Sequence, residues 1–311
     1  MFECELLMPR TSRLLLEDRP AVYHVMSRTA LDGLPFGDIE KDTLLAIIKR
    51  FSAIYFCDIL GFALMGNHFH LLVRMAPASS LTDDDVKRHF TQCYGDSIPP
   101  SAMQLADLRR KWTSLSEFIR EIKQTFSRYY NKRHSRRGTL WGERFKSVLV
   151  EEGSTLLHCL AYIDLNPVRA GIVCRPEDYR WCSIGYHLQT NNRDDFLNLE
   201  FGMDTWDIDT PSERQRLYRQ FLYETGTIET SKGASLRTDI VERARQSDYT
   251  YTRVDRFLLR TRWFSDAGII GSKAFIQSVA LHLDLPGSKT RTPKSIAGLE
   301  LYALKRLAEN L

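Results

Sequence analysis

Two apolar runs with a Gly-Asn pair between them constrain the fold of this chain more than any other feature. The runs cover residues 57–65 and 68–75, and only Gly66 and Asn67 separate them. Each run has the length of a β-strand, and Gly and Asn are residues that tight turns between antiparallel strands favour. The sequence therefore predicts a β-hairpin, and with it an antiparallel sheet.

Further elements on both sides of the hairpin predict the rest of the fold. In chain order they are strand 21–28, helix 40–55, the hairpin, a polar segment with turn residues at 76–100, a helix that follows Ser114, strand 140–150 and helix 154–166. The order strand, helix, strand, strand, helix, strand is that of the split βαβ, or ferredoxin-like, arrangement. We therefore expect an α+β fold, in which a ferredoxin-like antiparallel sheet has flanking helices.

The length of the chain predicts a second region. With 311 residues the chain exceeds the usual size of a single domain. We expect a catalytic domain over residues 1–186, followed by a mainly helical C-terminal extension over residues 187–311. In that extension the sequence predicts helices at 211–223, 272–283 and 295–310.

Cysteine usage and charge limit the class of protein. The six cysteines form no C-x-x-C pair and no zinc-like spacing, which favours reduced thiols in a cytosolic protein. No apolar run approaches the length of a membrane span, and the N-terminus lacks the layout of a signal peptide. The net charge of +4 is only mildly basic, so the positions of the charges matter more than their sum. We therefore expect a cytoplasmic protein.

Two histidines occupy the second strand of the hairpin. His68 and His70 are two residues apart, so both side chains point to the same face of the sheet. Two adjacent imidazoles are a natural pair of ligands for a divalent metal. Two hydrogen-bonded histidines in a sheet explain the same pattern, and H-x-H alone leaves both interpretations open. His24, on the strand at 21–28, is expected in the core or behind the metal ligands.

The helix predicted at 154–166 carries polar groups on one face. His158, Tyr162 and Asn166 are spaced four residues apart, so they line up along the helix. A tyrosine and an amide one turn apart can reach a metal site together. Alternatively, Tyr162 packs at the edge of the helix and Asn166 only ends it, ahead of Pro167. Helical geometry alone favours this second interpretation.

The segment 128–146 combines cations with aromatic residues. Its basic residues are Arg128, Lys132, Arg133, Arg136, Arg137, Arg144 and Lys146, and its aromatic residues include Tyr129, Tyr130, Trp141 and Phe145. Basic groups can follow a phosphate backbone while aromatic rings stack on unpaired bases, which suits single-stranded or hairpin DNA. A solvated basic loop with its aromatic residues in the core is the alternative. We predict that this segment contacts DNA, with salt-sensitive binding.

Seven short blocks occur in a fixed order along the first part of the chain. They are P-R-x-x-R (9–13), Y-H-V-M-S-R (23–28), G-N-H-F-H-L-L-V (66–73), Y-N-K-R (130–133), G-T-L-W-G-E-R-F (138–145), A-Y-I-D-L-N-P-V-R-A-G-I-V (161–173) and Y-R-W-C-S (179–183). Together they resemble the REP-associated tyrosine transposases, which belong to the HUH class of single-strand DNA transposases of the insertion-sequence type. The resemblance covers residues 8–186.

The resemblance implies a specific site. By position, His68 and His70 match the two metal-binding histidines of the family. Tyr162 matches the nucleophilic tyrosine, and Asn166 matches the third metal ligand. The family also implies a ferredoxin-like fold, and the donor set implies Mg²⁺ or Mn²⁺ as the divalent metal.

Two glycines depart from the family pattern. Gly66 stands where many members have a proline, and we expect it to alter the hairpin turn more than the chemistry. Gly142 stands where a glutamine is common, which puts a DNA contact in doubt.

The activity implied by the resemblance is metal-dependent nicking and rejoining of single-stranded DNA through a 5′-phosphotyrosine intermediate. The expected partner is single-stranded DNA or a REP-type hairpin, bound by a monomer or a homodimer that associates with the nucleoid and not with a membrane. The C-terminal extension would then be an accessory DNA-binding or regulatory region.

Two other functions compete with this one. A non-catalytic DNA-binding protein that kept the transposase scaffold has no need of an intact set of His68, His70, Tyr162 and Asn166. A metal hydrolase that releases its product without a covalent step leaves Tyr162 and the basic segment unexplained.

Overall fold

The structure, a computed structural model, describes most of the chain. The described residues are 14–95, 100–190, 192–198, 211–227, 233–245, 267–283, 293–295 and 302–305. The P-R-x-x-R block at 9–13 and most of the predicted helix at 295–310 lie outside them.

A seven-stranded sheet runs through the described part of the chain, with the strand order β2-β3-β1-β4-β5-β7-β6. The strands are β1 (Ala21–Arg28), β2 (Cys57–Leu64), β3 (His68–Met75), β4 (Lys146–Val150), β5 (Ala267–Gly271), β6 (Lys294–Ser295) and β7 (Tyr302–Lys305). The first four strands pair antiparallel with one another. Their order, β2-β3-β1-β4, is that of the ferredoxin-like sheet, so the predicted α+β fold class is confirmed.

Helices flank this sheet along most of its length. They are α1 (Asp38–Ser52), α2 (Asp83–Tyr94), α3 (Ala102–Trp112), α4 (Leu115–Arg133), α5 (Ser154–Asp164), α6 (Asn166–Arg169), α7 (Ser183–Thr190), α8 (Pro211–Gly226), α9 (Thr238–Arg245) and α10 (Lys273–His282). No helix of the described ranges is both long and apolar enough to cross a membrane.

Side chains along β3 point alternately to the two faces of the sheet, and their contacts show that α4 and α5 lie on opposite faces. The Phe69 ring lies 5.5 Å from Trp141, whose ring lies 5.8 Å from Phe126 of α4. The next residue, His70, points the other way, and its ring lies 5.8 Å from Tyr162 of α5. The sheet therefore has α4 on one face and α5 on the other.

Helix α5 lies close to β2 because a glycine faces it. An added Cβ at Gly61 would lie 2.2 Å from Cδ1 of Leu160 and 3.0 Å from the Ser183 hydroxyl. That hydroxyl bonds to both the amide and the carbonyl of Phe62, at 2.7 and 3.1 Å. The absence of a side chain at Gly61 thus sets the height of α5 above the sheet.

Two segments before the basic loop differ from the prediction. The polar segment at 76–100 contains α2, and α3 follows it, so two helices were missed. Of the residues of α2 only Val86 is buried, which left little apolar periodicity to detect. Polar capping supplies its start instead, since Thr82 and Asp85 form a capping box.

The strand predicted at 140–150 begins later. β4 starts at Lys146, and before it the chain makes only an isolated bridge between Trp141 and Thr29. The Trp141 indole donates a hydrogen bond to the Lys123 carbonyl of α4, 3.0 Å away. This side-chain anchor on α4 holds the segment before β4 in a loop.

The C-terminal region contains strands as well as the helices predicted there. α8 and α10 confirm the helices predicted at 211–223 and 272–283. The helix predicted at 295–310 is wrong in its described part, where β7 pairs with β5. β5 in turn pairs in parallel with β4 and continues the sheet of the first region. The domain boundary at residue 186 stays a prediction.

Asp164 joins the C-terminal region to α5. Its carboxylate is fully buried and accepts hydrogen bonds from the Tyr218 hydroxyl of α8 at 2.6 Å and from the Ile184 amide of α7 at 3.1 Å. Because buried carboxylates need such partners, this contact fixes the end of α5 relative to both helices.

Candidate active site

Three histidines meet on the α5 face of the sheet. The rings of His68 and His70 lie 5.1 Å apart on β3. His24 is in the neighbouring strand β1, and its ring stacks on His70 at 5.1 Å with Nε2 2.9 Å from His70 Nδ1. The histidine pair of the sequence is therefore part of a cluster of three, in which His24 and His70 are buried and His68 is half-buried.

Hydrogen bonds decide which nitrogens of the H-x-H pair remain for a ligand. His68 Nδ1 lies 2.8 Å from the side-chain oxygen of Asn67, while the Asn67 amide nitrogen donates to the Gly33 carbonyl at 3.0 Å. Because an amide oxygen only accepts, His68 carries its proton on Nδ1 and keeps the lone pair on Nε2. The Nδ1 atom of His70 is engaged by His24, and in the tautomer in which this Nδ1 donates, His70 also keeps the lone pair on Nε2.

The charge state of both rings suits metal binding. Burial, together with the nearby Arg28, lowers the pKa of His68 to about 4. Burial also holds the pKa of His70 well below its usual value, helped by the two neighbouring histidines. Both imidazoles are therefore neutral at pH 7, the form that binds a metal.

Tyr162 approaches the cluster from helix α5. Its ring lies 5.8 Å from His70 and 5.8 Å from His24, edge-on to both, and the residue is buried. The structure thus brings together His68, His70 and Tyr162 from elements more than ninety residues apart. His158, on the same helix, instead contacts Phe221 of α8.

Asn166 lies one turn beyond Tyr162, at the start of α6. Its side-chain nitrogen donates hydrogen bonds to the carbonyls of Tyr162 at 2.8 Å and Ile163 at 3.3 Å. These bonds close the last turn of α5, the structural role that the sequence left open. The side-chain oxygen takes no part in them, so it is the atom that can bind a metal. The role of Asn166 as a ligand stays a prediction.

The two histidines suit a divalent metal, but they do not form a complete metal site with other His, Cys, Asp or Glu side chains of the described residues. In the ranges that the structure describes, no three His, Cys, Asp or Glu side chains form a metal-binding group. His68 and His70 supply two neutral nitrogens, so a third protein donor has to be of another type, such as the Asn166 oxygen. Neutral donors leave the full charge of the cation for an anionic substrate.

Arg169 is a further residue of this helical face. It follows Tyr162 by seven residues and Asn166 by three, which is the spacing of one helix face. The Cζ atom of its guanidinium lies 5.6 Å from the centre of the Tyr162 ring. The sequence block that contains Tyr162 also contains Arg169. The spacing of the two residues alone did not indicate that the guanidinium lies beside the tyrosine ring.

A basic groove lies on the α4 face of the sheet. Its volume is about 650 Å³, and it is lined by Ser116, Glu117, Arg120, Lys123, Gln124, Ser127, Arg128, Trp141, Arg144 and Phe145. Two of the predicted DNA-contacting residues, Arg128 and Arg144, are exposed and line this groove. Four cations line it against one carboxylate, Glu117, which forms an ion pair with Arg120, so the lining has a net positive charge.

The other predicted DNA contacts divide into exposed and engaged residues. Lys132 and Arg137 are exposed near the end of α4. Arg133 forms an ion pair with Glu40, and Arg136 bonds to the side chain of Asn131. Lys146, Trp141 and Phe145 are partly or fully buried. The aromatic residues of this segment therefore belong largely to the core, as the alternative interpretation held.

The groove and the histidine cluster occupy the same end of the sheet. Arg28, the last residue of β1, pairs with His68, and the next residue, Thr29, bridges to Trp141 in the wall of the groove. The strands thus separate the basic groove on one face of the sheet from the cluster of His68, His70 and Tyr162 on the other face. Both features lie near the same end of the strands.

Comparison with known proteins gives distant structural similarity only. No protein-family model and no curated protein matches this chain. A solved structure of a REP-associated tyrosine transposase bound to a REP hairpin is similar to it, with a TM-score of 0.42 and 14% sequence identity. The similarity covers 66% of this chain and 96% of that chain. A likeness at this level is too distant to transfer any residue role, so the roles of the His–Tyr cluster rest on its geometry.

Proposed function

We propose that this protein is a metal-dependent enzyme that nicks and rejoins single-stranded DNA through a covalent bond to Tyr162. The observation that carries the proposal is the position of the Tyr162 ring against the His70 ring, with His68 beside it. A tyrosine packed against His70, with His68 as a second neutral imidazole beside it, is an arrangement suited to phosphoryl transfer.

The proposed reaction conserves the energy of the phosphodiester bond. The Tyr162 oxygen forms a bond to phosphorus while the bond from phosphorus to the 3′-oxygen breaks. The phenolic proton passes to solvent, and the leaving 3′-oxygen takes up a proton. The products are a 5′-phosphotyrosine and a 3′-hydroxyl, and the reverse step rejoins strands without a nucleotide cofactor.

His68, His70 and the side-chain oxygen of Asn166 are the proposed ligands of a Mg²⁺ or Mn²⁺ ion. When bound, such an ion withdraws charge from the phosphate oxygens. Asn67 and His24 hold the two imidazoles by their Nδ1 atoms. Helix α5, fixed at its end by Asp164, holds the tyrosine over them. Most of the catalytic effect of these protein groups is thus positioning.

The basic groove supports single-stranded or hairpin DNA as the substrate. Its cations, Arg120, Lys123, Arg128 and Arg144, lie along α4 and the following loop, and cations of this kind attract a phosphate backbone. The seven sequence blocks favour a hairpin of the REP type, and the groove chemistry suits any folded single strand.

Covalent trapping tests the proposal directly. The probe is a pool of hairpin oligonucleotides with randomised single-stranded flanks and a 3′-fluorescein label, because a 5′-phosphotyrosine retains the 3′ fragment. With Mn²⁺ and a denaturing gel, the parent protein should form a labelled adduct and Tyr162→Phe should form none. Tyr129→Phe, a tyrosine on the α4 face, is the matched control and should keep the adduct.

Other outcomes identify the competing functions. Cleavage that survives in Tyr162→Phe would replace the covalent mechanism by hydrolysis. Hairpin binding without any cleavage by the parent protein would favour a DNA-binding protein that kept the scaffold. A folded His68→Ala/His70→Ala variant should lose the metal-dependent adduct, whereas misfolding of that variant would assign the histidines to the core.

A further inference from the structure

In the described part of the chain, one nitrogen of the Arg169 guanidinium is left without a hydrogen-bond partner, and the guanidinium lies beside the Tyr162 ring. Its Nη1 atom is shielded from solvent and has no hydrogen-bond partner among the described residues. Other arginines of this region are paired: Arg175 with Asp178, at 2.7 Å, and Arg219 with Glu177, at 2.7 Å. Its neighbour is instead the Tyr162 ring, 5.6 Å away.

A guanidinium nitrogen that is shielded from solvent and has no hydrogen-bond partner costs stability. Buried polar groups are nearly always hydrogen-bonded, and a buried charge is normally paired. The contact with an aromatic ring offsets only part of the desolvation cost. An arrangement of this kind is retained where an anion completes it in the working complex, and the anion has to arrive next to Tyr162.

The backbone around Arg169 is held independently of its side chain. The Arg169 carbonyl accepts a hydrogen bond from the Ala234 amide at 3.1 Å. An added Cβ at Gly233 would lie 3.0 Å from the same carbonyl oxygen, so the C-terminal region packs directly on it. Replacing the side chain therefore leaves the main anchors of this turn in place.

The side chain of Arg169 is partly buried and remains charged. Desolvation lowers the pKa of Arg169 to about 10, and the neighbouring Tyr162 acts in the opposite direction. At neutral pH the group is thus a guanidinium, which offers parallel N–H donors to the oxygens of a phosphate.

We propose that Arg169 binds the non-bridging oxygens of the DNA phosphate that Tyr162 attacks, an inference that rests on the function proposed above. As the bond from the Tyr162 oxygen to phosphorus forms and the bond to the 3′-oxygen breaks, negative charge on the non-bridging oxygens faces the guanidinium. The phosphate is a monoanion before and after the step, so Arg169 transfers no proton. It orients the phosphate and stabilises the transition state.

A single-turnover experiment tests the role of Arg169 separately from the proposed function. Rates of adduct formation are measured at saturating hairpin for the parent protein, Arg169→Ala and Arg169→Lys. Arg169→Ala should be slower by about 10²–10³-fold, the usual loss for one such donor. Arg169→Lys should be intermediate, because it keeps the charge and loses the planar fork. Arg175→Ala, an exposed arginine on the following turn, should react at the parent rate.

A neutral substrate distinguishes a phosphate contact from a structural role. A methylphosphonate at the mapped cleavage position replaces one charged oxygen by a methyl group. With this substrate the rate ratio of parent protein to Arg169→Ala should shrink, because less charge remains for the guanidinium to stabilise. A structural defect would keep the same ratio with both substrates.

The failures of the two proposals look different. Absence of any Tyr162-dependent adduct with the parent protein removes the proposed function, and the role of Arg169 with it. An adduct that forms at the parent rate in Arg169→Ala overturns only the inference. The inference is also overturned if Arg169→Ala loses the same fraction of its rate on both substrates and has a lowered melting temperature.

Discussion

At the scale of single residues, Asn67 determines how His68 can bind a ligand. Its side-chain oxygen accepts the Nδ1 proton of His68, and its nitrogen is tied to the carbonyl of Gly33 across the turn. The ring orientation and the proton position are therefore set by one amide next to the histidine. Such groups behind a metal ligand usually affect affinity almost as much as the ligand's own geometry.

Removal of this amide should weaken metal binding. In Asn67→Ala the His68 ring gains rotational freedom, and its proton can move to Nε2, the nitrogen that we propose as the metal ligand. We expect the Kd for Mn²⁺, measured by calorimetry, to rise by about 10- to 100-fold.

Asn131→Ala is the matched control for this variant. Asn131 likewise bonds a loop carbonyl, that of Gly138 at 2.9 Å, but on the α4 side of the protein. Its replacement should leave the Kd for Mn²⁺ unchanged. Equal affinity of Asn67→Ala and the parent protein would show that the turn does not control the His68 ring.

Residue spacing predicted part of this site and missed the rest. The i, i+2 pair of His68 and His70 and the helical position of Tyr162 follow from periodicity, and the structure brings these residues together. The partners Asn67 and Arg169 were not predicted. Their roles depend on which atoms face each other in three dimensions, and sequence spacing does not encode a hydrogen bond across a turn or an unpaired guanidinium.

At the scale of elements, the packing of α5 on β2 controls the position of the tyrosine. Leu160 of α5 occupies the space that a side chain at Gly61 would need, and it lies two residues before Tyr162. Both residues belong to the interior, where side chains interlock and leave little free volume. A displacement of α5 there moves Tyr162, the proposed nucleophile, relative to the histidines.

A methyl group at Gly61 tests this packing. Its Cβ would lie 2.2 Å from Leu160 Cδ1, so Gly61→Ala should lower the free energy of unfolding by about 1–3 kcal/mol, the usual cost of overpacking. Adduct formation should slow as well, because α5 shifts. Urea unfolding measures the first effect and the trapping gel the second.

A double-mutant cycle and a second glycine control the result. In a Leu160→Ala background the clash disappears, so Gly61→Ala should cost less than it does in the parent protein. Gly142→Ala, whose Cβ meets no atom closer than 3.6 Å, should change stability by less than about 0.5 kcal/mol. Additive costs in the cycle would contradict a direct contact between positions 61 and 160.

The strands and helices with a clear pattern of apolar residues were the ones that the sequence predicted correctly. β1 and β3 begin and end at the predicted residues, because a buried strand leaves a continuous apolar run with clear turn residues. Helix α2 has a mostly polar surface and was missed. β7 was predicted as helix, and its pairing with β5 across a long separation in sequence decided otherwise.

At the scale of the whole molecule, the charge distribution matters more than the net charge. The net charge is only +4, yet the groove on the α4 face gathers four cations around a single carboxylate. Many other basic residues are neutralised locally, as Arg175 is by Asp178 and Arg237 by Asp239. Association with DNA should therefore depend on the groove and not on the sum of charges.

The salt dependence of hairpin binding measures this difference. For single strands, the slope of log Kd against log salt changes by about 0.7 for each phosphate contact. Removal of two groove cations in Arg128→Ala/Arg144→Ala should therefore reduce the slope by about 1.4. The variant Arg175→Ala/Arg237→Ala removes the same net charge from paired, exposed positions and should keep the parent slope. Equal reductions in the two variants would mean that net charge governs binding. Fluorescence anisotropy of the labelled hairpin over a salt series gives both slopes.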